Sequence, residues 1–296
     1  MPPTLYLVRH AEAEHNIKHQ FHIPDPVLTP RGRTQCRNLC KTFPHHSKID
    51  LILSSPHRRA SQTTLFAFSK ILAQPEVRYL LVPNAQEVSA KPCDKGFPLD
   101  VLRDVEIPKL FKDEGLSFGV EKIDIELMEE GWNLKVCVEF LQIFFERHPW
   151  RQPYLLAGFQ ASHFYLLWLK DLQKDFYAPN HEAVQARAAT LRAWLYQLEA
   201  QHVVLVTHGA FLHYLTEDGT VEDLKKGTAY SNCEFRIFTF KKESTAEDAH
   251  VVEFGKEKHD IETDSTILAE LDAVRLFLSI YELFHEEDSW LNALRA

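Results

Sequence analysis

Four short apolar runs punctuate the chain, at residues 5–8, 49–53, 77–82 and 203–206. Each is nearly continuous in hydrophobic residues, the pattern of a strand covered on both faces rather than one. Amphipathic stretches separate them. One starts near Pro30, behind Thr29 as a candidate N-cap, and runs to about Phe43; another covers about 58–72, and a third about 181–198. Strand alternating with helix predicts a three-layer α/β/α sandwich around an open, mostly parallel sheet. The alternating run Phe235-Arg236-Ile237-Phe238-Thr239-Phe240 reads as one antiparallel edge strand.

The residues just beyond each run carry the chemistry. The first run ends in Arg9-His10, the second in Ser54-Ser55-Pro56-His57-Arg58-Arg59, and the fourth in Thr207-His208-Gly209; the third leads into Gln86-Glu87. Ligands of open parallel sheets bind beyond the carboxyl ends of the strands. Two histidines, at least two arginines and a glutamate therefore converge on one edge. Arginine forks suit a phosphate dianion. A neutral imidazole can attack phosphorus and hold it covalently, and neighbouring arginines keep His10 unprotonated. His208 can donate to a phosphate oxygen, and Gly209 lets the backbone approach it. Glu87 is the candidate acid for the leaving oxygen, its carboxyl raised by a bound dianion.

These residues resemble a known family. Leu7-Val8-Arg9-His10-Ala11-Glu12 resembles the "RHG" signature of the histidine phosphatase superfamily, the phosphoglycerate-mutase-like enzymes, with Ala11 in place of glycine. Asn16 matches an asparagine six after the histidine. Leu28-Thr29-Pro30-Arg31-Gly32 matches "LTxxG", and Ser54 to Thr63 matches "SSPLxRAxQT". Val206-Thr207-His208-Gly209 matches the second-histidine motif. The likeness covers about residues 4–240. It implies a phosphoglycerate-mutase-like fold, with His10, Glu87, His208, Arg9 and Arg59 as catalytic residues. Arg9, Asn16, Arg59, His208 and Gly209 would bind substrate. Arg59, not Arg58, falls at the phosphate-binding position. Gln86-Glu87-Val88-Ser89, Lys91-Pro92-Cys93-Asp94 and Glu130-Gly131-Trp132-Asn133 look like a fungal-type subgroup. The "NxFxGWxD" stretch of the mutase proper reads here from Asn16 to Asp25 without its Gly-Trp, which favours a phosphatase.

Composition trims the alternatives. The chain has 296 residues, 45% hydrophobic and 25% charged, ample for a sizeable core. A net charge of -9 speaks against a general affinity for nucleic acid. Five cysteines without CxxC or zinc-type spacing, and a strand that begins at once after Met-Pro-Pro, point to a reducing compartment: cytoplasmic, with a nuclear location also open. The expected partner is a small phosphorylated metabolite, with no cofactor, no metal, no nucleic acid and no membrane; the oligomeric state stays open. His15, His19 and His22 read as solvated or phosphate-rim histidines rather than a metal site. Trp132 and Tyr230 read as packing residues.

The expected organisation is a histidine phosphatase domain over 1–242, a polar linker over 243–264 and a helical extension over 265–296. Residues 136–173, crowded with Phe, Trp, Tyr and Leu, interrupt the family pattern. A cap of inserted helices over the pocket, a translated intron and a membrane-touching segment are three readings of it; at 154–169 the apolar stretch is too short to span. The leading function is a phosphatase working through a phosphohistidine on His10. The rivals are a phosphomutase and a non-catalytic interaction subunit that retains the fold.

Overall fold

A computed structural model describes residues 1–112, 115–135, 174–218 and 230–254. The 136–173 segment and the 265–296 extension lie outside the described residues, as does the linker beyond 254.

Seven strands form one sheet: β1 (Thr4–Arg9), β2 (Leu51–Ser54), β3 (Arg78–Leu81), β4 (Ile123–Asp124), β5 (His202–Thr207), β6 (Phe235–Phe240) and β7 (Val251–Glu253). Their order is β4-β3-β2-β5-β1-β6-β7. The first five in that order run parallel; β6 is antiparallel to β1, and β7 antiparallel to β6. The α/β fold is therefore as expected, with a correction at one side. β6 is not the edge strand, because β7 pairs beyond it. That strand comes from the stretch 243–264 assigned to a polar linker. Three residues alternating between buried Val251 and exposed Val252 are too short to stand out in a polar context.

Alternation along the central strands builds the two cores. Tyr6 and Val8 of β1 face one side with Ile52, Tyr79, Val204 and Val206, and pack on the first two helices, α1 (Pro30–Thr42) and α2 (Arg58–Ala67). Leu5 and Leu7 face the other side with Leu53, Leu80, Val203 and Leu205, and pack on α3 (His181–Tyr196) and α4 (Gly209–Leu215). Successive side chains of a strand point to opposite faces, so both halves of each apolar run are consumed. Thr29 caps α1 by accepting from the Gly32 amide at 2.9 Å, and Pro30 occupies the first turn, where its missing N–H costs nothing. The helix expected over 58–72 breaks at Phe68 and resumes as one turn, Ser69–Leu72.

Register positions the functional edge. Arg9 pairs with Thr207, and Ser54 pairs with Val206. The next residues leave the sheet together: the His10 amide donates to the Thr207 carbonyl, and the Ser55 amide to the Val206 carbonyl, both at 2.9 Å. β3 runs on through the Val82 amide, which donates to the Ser54 carbonyl, into the turn Pro83–Ala85 that leads to Glu87. Among the described residues, no helix is long and apolar enough to cross a membrane.

Candidate active site

His10, Arg59, Glu87 and His208 emerge at this edge, all 1% exposed or less. His10 Nδ1 lies 2.7 Å from the Ala11 carbonyl. A carbonyl can only accept, so the proton of the neutral ring sits on Nδ1 and Nε2 carries the lone pair. Arg59 Nε donates to that Nε2 at 3.3 Å. Burial, reinforced by Arg59, His15 and Arg9, pushes the imidazole well below the ordinary histidine range. The ring is thus neutral, fixed in one tautomer, and presents its nucleophilic nitrogen to a guanidinium.

Arg59 is the second residue of α2. Its NH1 donates to the Cys93 carbonyl at 2.6 Å and its NH2 to Asp94 Oδ1 at 2.9 Å. Burial works against the Asp94 carboxylate, but Arg59 and then Lys135 hold it below the usual carboxylate range. Arg58 turns the other way: its Nε donates to the Asp25 carbonyl, and NH1 pairs with Glu106 at 3.0 Å. Arg59, the arginine expected to bind phosphate, is thus the one of the pair that contacts His10. Arg9 closes β1 and donates through NH1 to the Tyr230 carbonyl at 2.6 Å. Tyr230 is a packing residue, its buried ring lying under the Arg236 guanidinium.

Glu87 Oε1 accepts from its neighbour's amide, Val88, at 2.9 Å and from Phe211 in the first turn of α4 at 3.1 Å. The helix behind the second histidine and the candidate acid are thereby one unit. Two buried cations grip the backbone that carries Glu87. Arg187 NH1 donates to the Gln86 carbonyl at 2.6 Å and to that of Asn84 at 3.1 Å, and its NH2 to that of Glu87 at 3.3 Å. Lys135 Nζ donates to the carbonyls of Glu87 and Ser89. Burial pushes the lysine down to about 7 against the pull of Asp94.

His208 lies beside His10, ring centroids 5.2 Å apart, and beside His57 at 5.0 Å. Its Nε2 is 2.8 Å from Ser55 Oγ. Burial, then Arg59, pushes its imidazole well below the ordinary range. Gly209 is buried as the first residue of α4. Asn16 folds its side chain onto its own loop: Oδ1 accepts from the Ala13 amide at 3.0 Å and Nδ2 donates to His15 Nε2 at 3.2 Å. Of the two expectations for His15, solvated or phosphate-rim, its position excludes the first. It is fully buried, with its ring 5.6 Å from that of His10. The loop that follows is exposed at residues 17–19, and His15 is the part of it that turns inward.

Sequence reasoning gave no role to Ser55, His57, Asp94, Lys135 or Arg187. Asp94 lay inside a motif already singled out. The two cations gave no signal, since each acts on backbone carbonyls at least 46 residues away. Trp132 packs as expected, its ring edge-on to His57 at 5.8 Å. Among the described residues, no cluster of His, Cys, Asp or Glu could hold a metal ion.

Residues 5–89 match the sequence model of the histidine phosphatase superfamily (branch 1). Over those residues, less than a third of its length, the chain is similar to the histidine phosphatase superfamily. A protein of Hydrogenobacter thermophilus named as a putative phosphoserine phosphatase is 50% identical over 62 residues, which make up 21% of this chain and 30% of that protein. Phosphoglycerate mutase-like protein 1 of Arabidopsis thaliana is 26% identical over 264 residues, 79% of each chain. The chain thus matches less than a third of the first relative's length and about four-fifths of the second's. Among solved structures, a phosphoserine phosphatase of Entamoeba histolytica in complex with phosphoserine aligns with a TM-score of 0.45 at 16% identity, covering 89% of this chain and 98% of that one. His10 lies within the matched residues, and His208 follows the adjacent strand β5.

Proposed function

We propose that the chain is a metal-independent phosphatase that hydrolyses a small phosphomonoester through a phosphohistidine on His10. The observation that carries this reading is the His10 ring: Nδ1–H bound to the Ala11 carbonyl, and Nε2 bare and turned to Arg59.

In the first step, the Nε2 lone pair forms a bond to phosphorus as the phosphorus–alkoxide bond breaks. The leaving oxygen takes its proton from the Glu87 carboxyl. Arg9, Arg59 and His208 stabilise the equatorial oxygens, where the charge of a loose transition state gathers. In the second step, water attacks the phosphohistidine. Glu87 takes a proton from that water, the phosphorus–nitrogen bond breaks, and His10 recovers its lone pair. Bound guanidinium and imidazole donors supply the charge stabilisation, so the scheme requires no metal. Asn16 supports the loop that presents His15 beside His10, and Gly209 brings the start of α4 close to the phosphate.

Four of the five cysteines, Cys36, Cys40, Cys93 and Cys233, are buried free thiols, which suits a reducing, cytoplasmic location. The test is hydrolysis of a generic aryl phosphate by the parent and by His10→Ala. Loss in the variant supports the reading, and undiminished turnover ends it. A phosphomutase would use the same acceptor and return the phosphoryl group to another oxygen. The likeness to a mutase-like plant protein keeps that reading in view. Product analysis with a glycerate or sugar phosphate separates the two, since only the mutase yields an isomeric phosphate.

A further inference from the structure

Both far nitrogens of the Arg59 guanidinium are committed to one short turn, Pro92–Asp94. NH1 donates to the Cys93 carbonyl and NH2 to Asp94 Oδ1, while Nε faces His10. Arg59 and Asp94 are both fully buried. Among the described residues, the other carboxylate near Arg59 is Asp25. It stands 3.9 Å from NH1, beyond hydrogen-bond distance, and accepts from the Arg58 amide. Asp94 is therefore the carboxylate that hydrogen-bonds this buried cation, and the phosphatase scheme gives it no part.

The second oxygen of Asp94 is also spent inward. Oδ2 accepts from Ser89 Oγ, which itself accepts from the Lys91 amide at 3.2 Å. A carboxylate only accepts, so the direction of each bond is fixed. The Ser89 carbonyl takes Lys135 Nζ at 2.9 Å, and the same ammonium holds the Glu87 carbonyl. An unbroken series of contacts thus runs from His10 through Arg59, Asp94, Ser89 and Lys135 to Glu87. Its ends are the nucleophile and the candidate acid. A mere counter-ion would need only to be near. Here a planar fork is pinned at both far nitrogens, which sets its plane and aims Nε–H at His10. With NH2 released, the group could turn about the Cδ–Nε bond and carry that N–H away.

We propose that Asp94 is a positioning residue that sets the plane of the Arg59 guanidinium and, through Ser89, fastens it to the loop that carries Glu87. The catalytic consequence rests on the phosphatase reading; the placement of Arg59 does not. The cation and the acid then keep one spacing when a phosphate takes over the Nε–H of Arg59.

The experiment is NMR of the ¹⁵N-arginine-labelled full chain, read for rotation about the Nε–Cζ bond of Arg59, with turnover of an aryl phosphate measured alongside. The signals that vanish in Arg59→Lys are those of Arg59. In the parent they are resolved, because both far nitrogens are held. Asp94→Ala averages them, and kcat falls by about a hundredfold, the scale of losing one transition-state donor, with KM changed less. Asp94→Asn removes the charge but keeps an oxygen for Arg59 and offers an amide to Ser89 Oγ. It keeps the signals resolved and recovers most of kcat. A counter-ion without a positioning role would make the two variants lose alike. Ser89→Ala, a one-atom deletion, covers the case in which Asp94→Ala fails to fold: it frees Oδ2, speeds the rotation of Arg59 and lowers kcat to a smaller extent. Equal losses in Asp94→Asn and Asp94→Ala, or parent-like rotation and kcat in Ser89→Ala, overturn the proposal. A parent without phosphatase activity would count against the catalytic scheme alone, because the arginine signals still judge the placement.

Discussion

Arg59 Nε donates to His10 Nε2 at 3.3 Å, so the nitrogen proposed to attack phosphorus is held by the guanidinium proposed to receive the phosphate. An arriving dianion competes for that guanidinium and releases the lone pair. The remaining donors of Arg59 reach the Cys93 carbonyl and Asp94, so the fork stays aimed while Nε changes partner.

The two neighbouring arginines separate on this basis. Arg59→Ala lowers kcat/KM for an aryl phosphate by about a hundredfold or more, and Arg59→Lys recovers little, because a point charge lacks the planar fork. Arg58→Ala leaves the chemistry nearly intact. Its cost appears as a lower unfolding midpoint, through the lost contacts to Asp25 and Glu106. Steady-state kinetics and thermal melts of the three variants check this.

Glu87 as the proton donor makes rate depend on the leaving group. Glu87→Gln slows hydrolysis of an alkyl phosphate by about 10²–10⁴-fold, the usual reach of general acid catalysis. It slows an activated aryl phosphate far less, because that leaving group needs no proton. Equal losses on the two substrates would remove Glu87 from the acid role.

Arg187→Met strips the donor from the carbonyls of Asn84 and Gln86, and one of two donors from that of Glu87, while keeping an unbranched apolar stem beside Phe211. Each buried carbonyl left unpaired costs about 1–3 kcal/mol. The variant melts at a lower temperature and loses kcat more than it raises KM, since Glu87 drifts with its backbone. Differential scanning calorimetry and kinetics on the same preparation test both halves.

Acid stability depends on the buried histidines. Burial, first among the causes, pushes His10, His15, His57 and His208 well below the ordinary value. Below pH about 6.5 the unfolded chain takes up protons that these rings refuse, so their contribution is present above that pH and is lost as pH falls. Each ring contributes up to about 1.4 kcal/mol per pH unit. Asp25 works the other way: burial raises its carboxyl to about 7, so the native state holds a proton that the unfolded chain has released. Four rings against one carboxyl leave a net loss. The urea midpoint falls steeply between pH about 6.5 and about 5, the window in which unfolded-chain histidines take up protons; a flat profile would contradict neutral burial of the histidines.

The legible parts of the molecule were those with a periodic or local signal. The strands β1, β2, β3 and β5 are buried on both faces, so their apolar runs are continuous, and their ends announce His10, Ser55 and His208 in register. Thr29 announced α1 because a cap is a local hydrogen bond. β4 and β7 were not legible, since two and three residues cannot display an alternation. The Phe68 break was hidden because 58–72 keeps helical periodicity across it. His15 stayed open between solvent and phosphate rim because one inward histidine in a largely exposed loop leaves no local pattern. Lys135 and Arg187 were silent for a different reason: their partners are backbone carbonyls, which every residue possesses.

The most direct test of the central claim is to quench the enzyme during turnover of a ³²P-labelled phosphomonoester and ask where the label sits. The account predicts an acid-labile, base-stable phosphoprotein that maps to His10 and is absent from His10→Ala. Turnover by the parent without a labelled protein, or label on a residue other than His10, would contradict it.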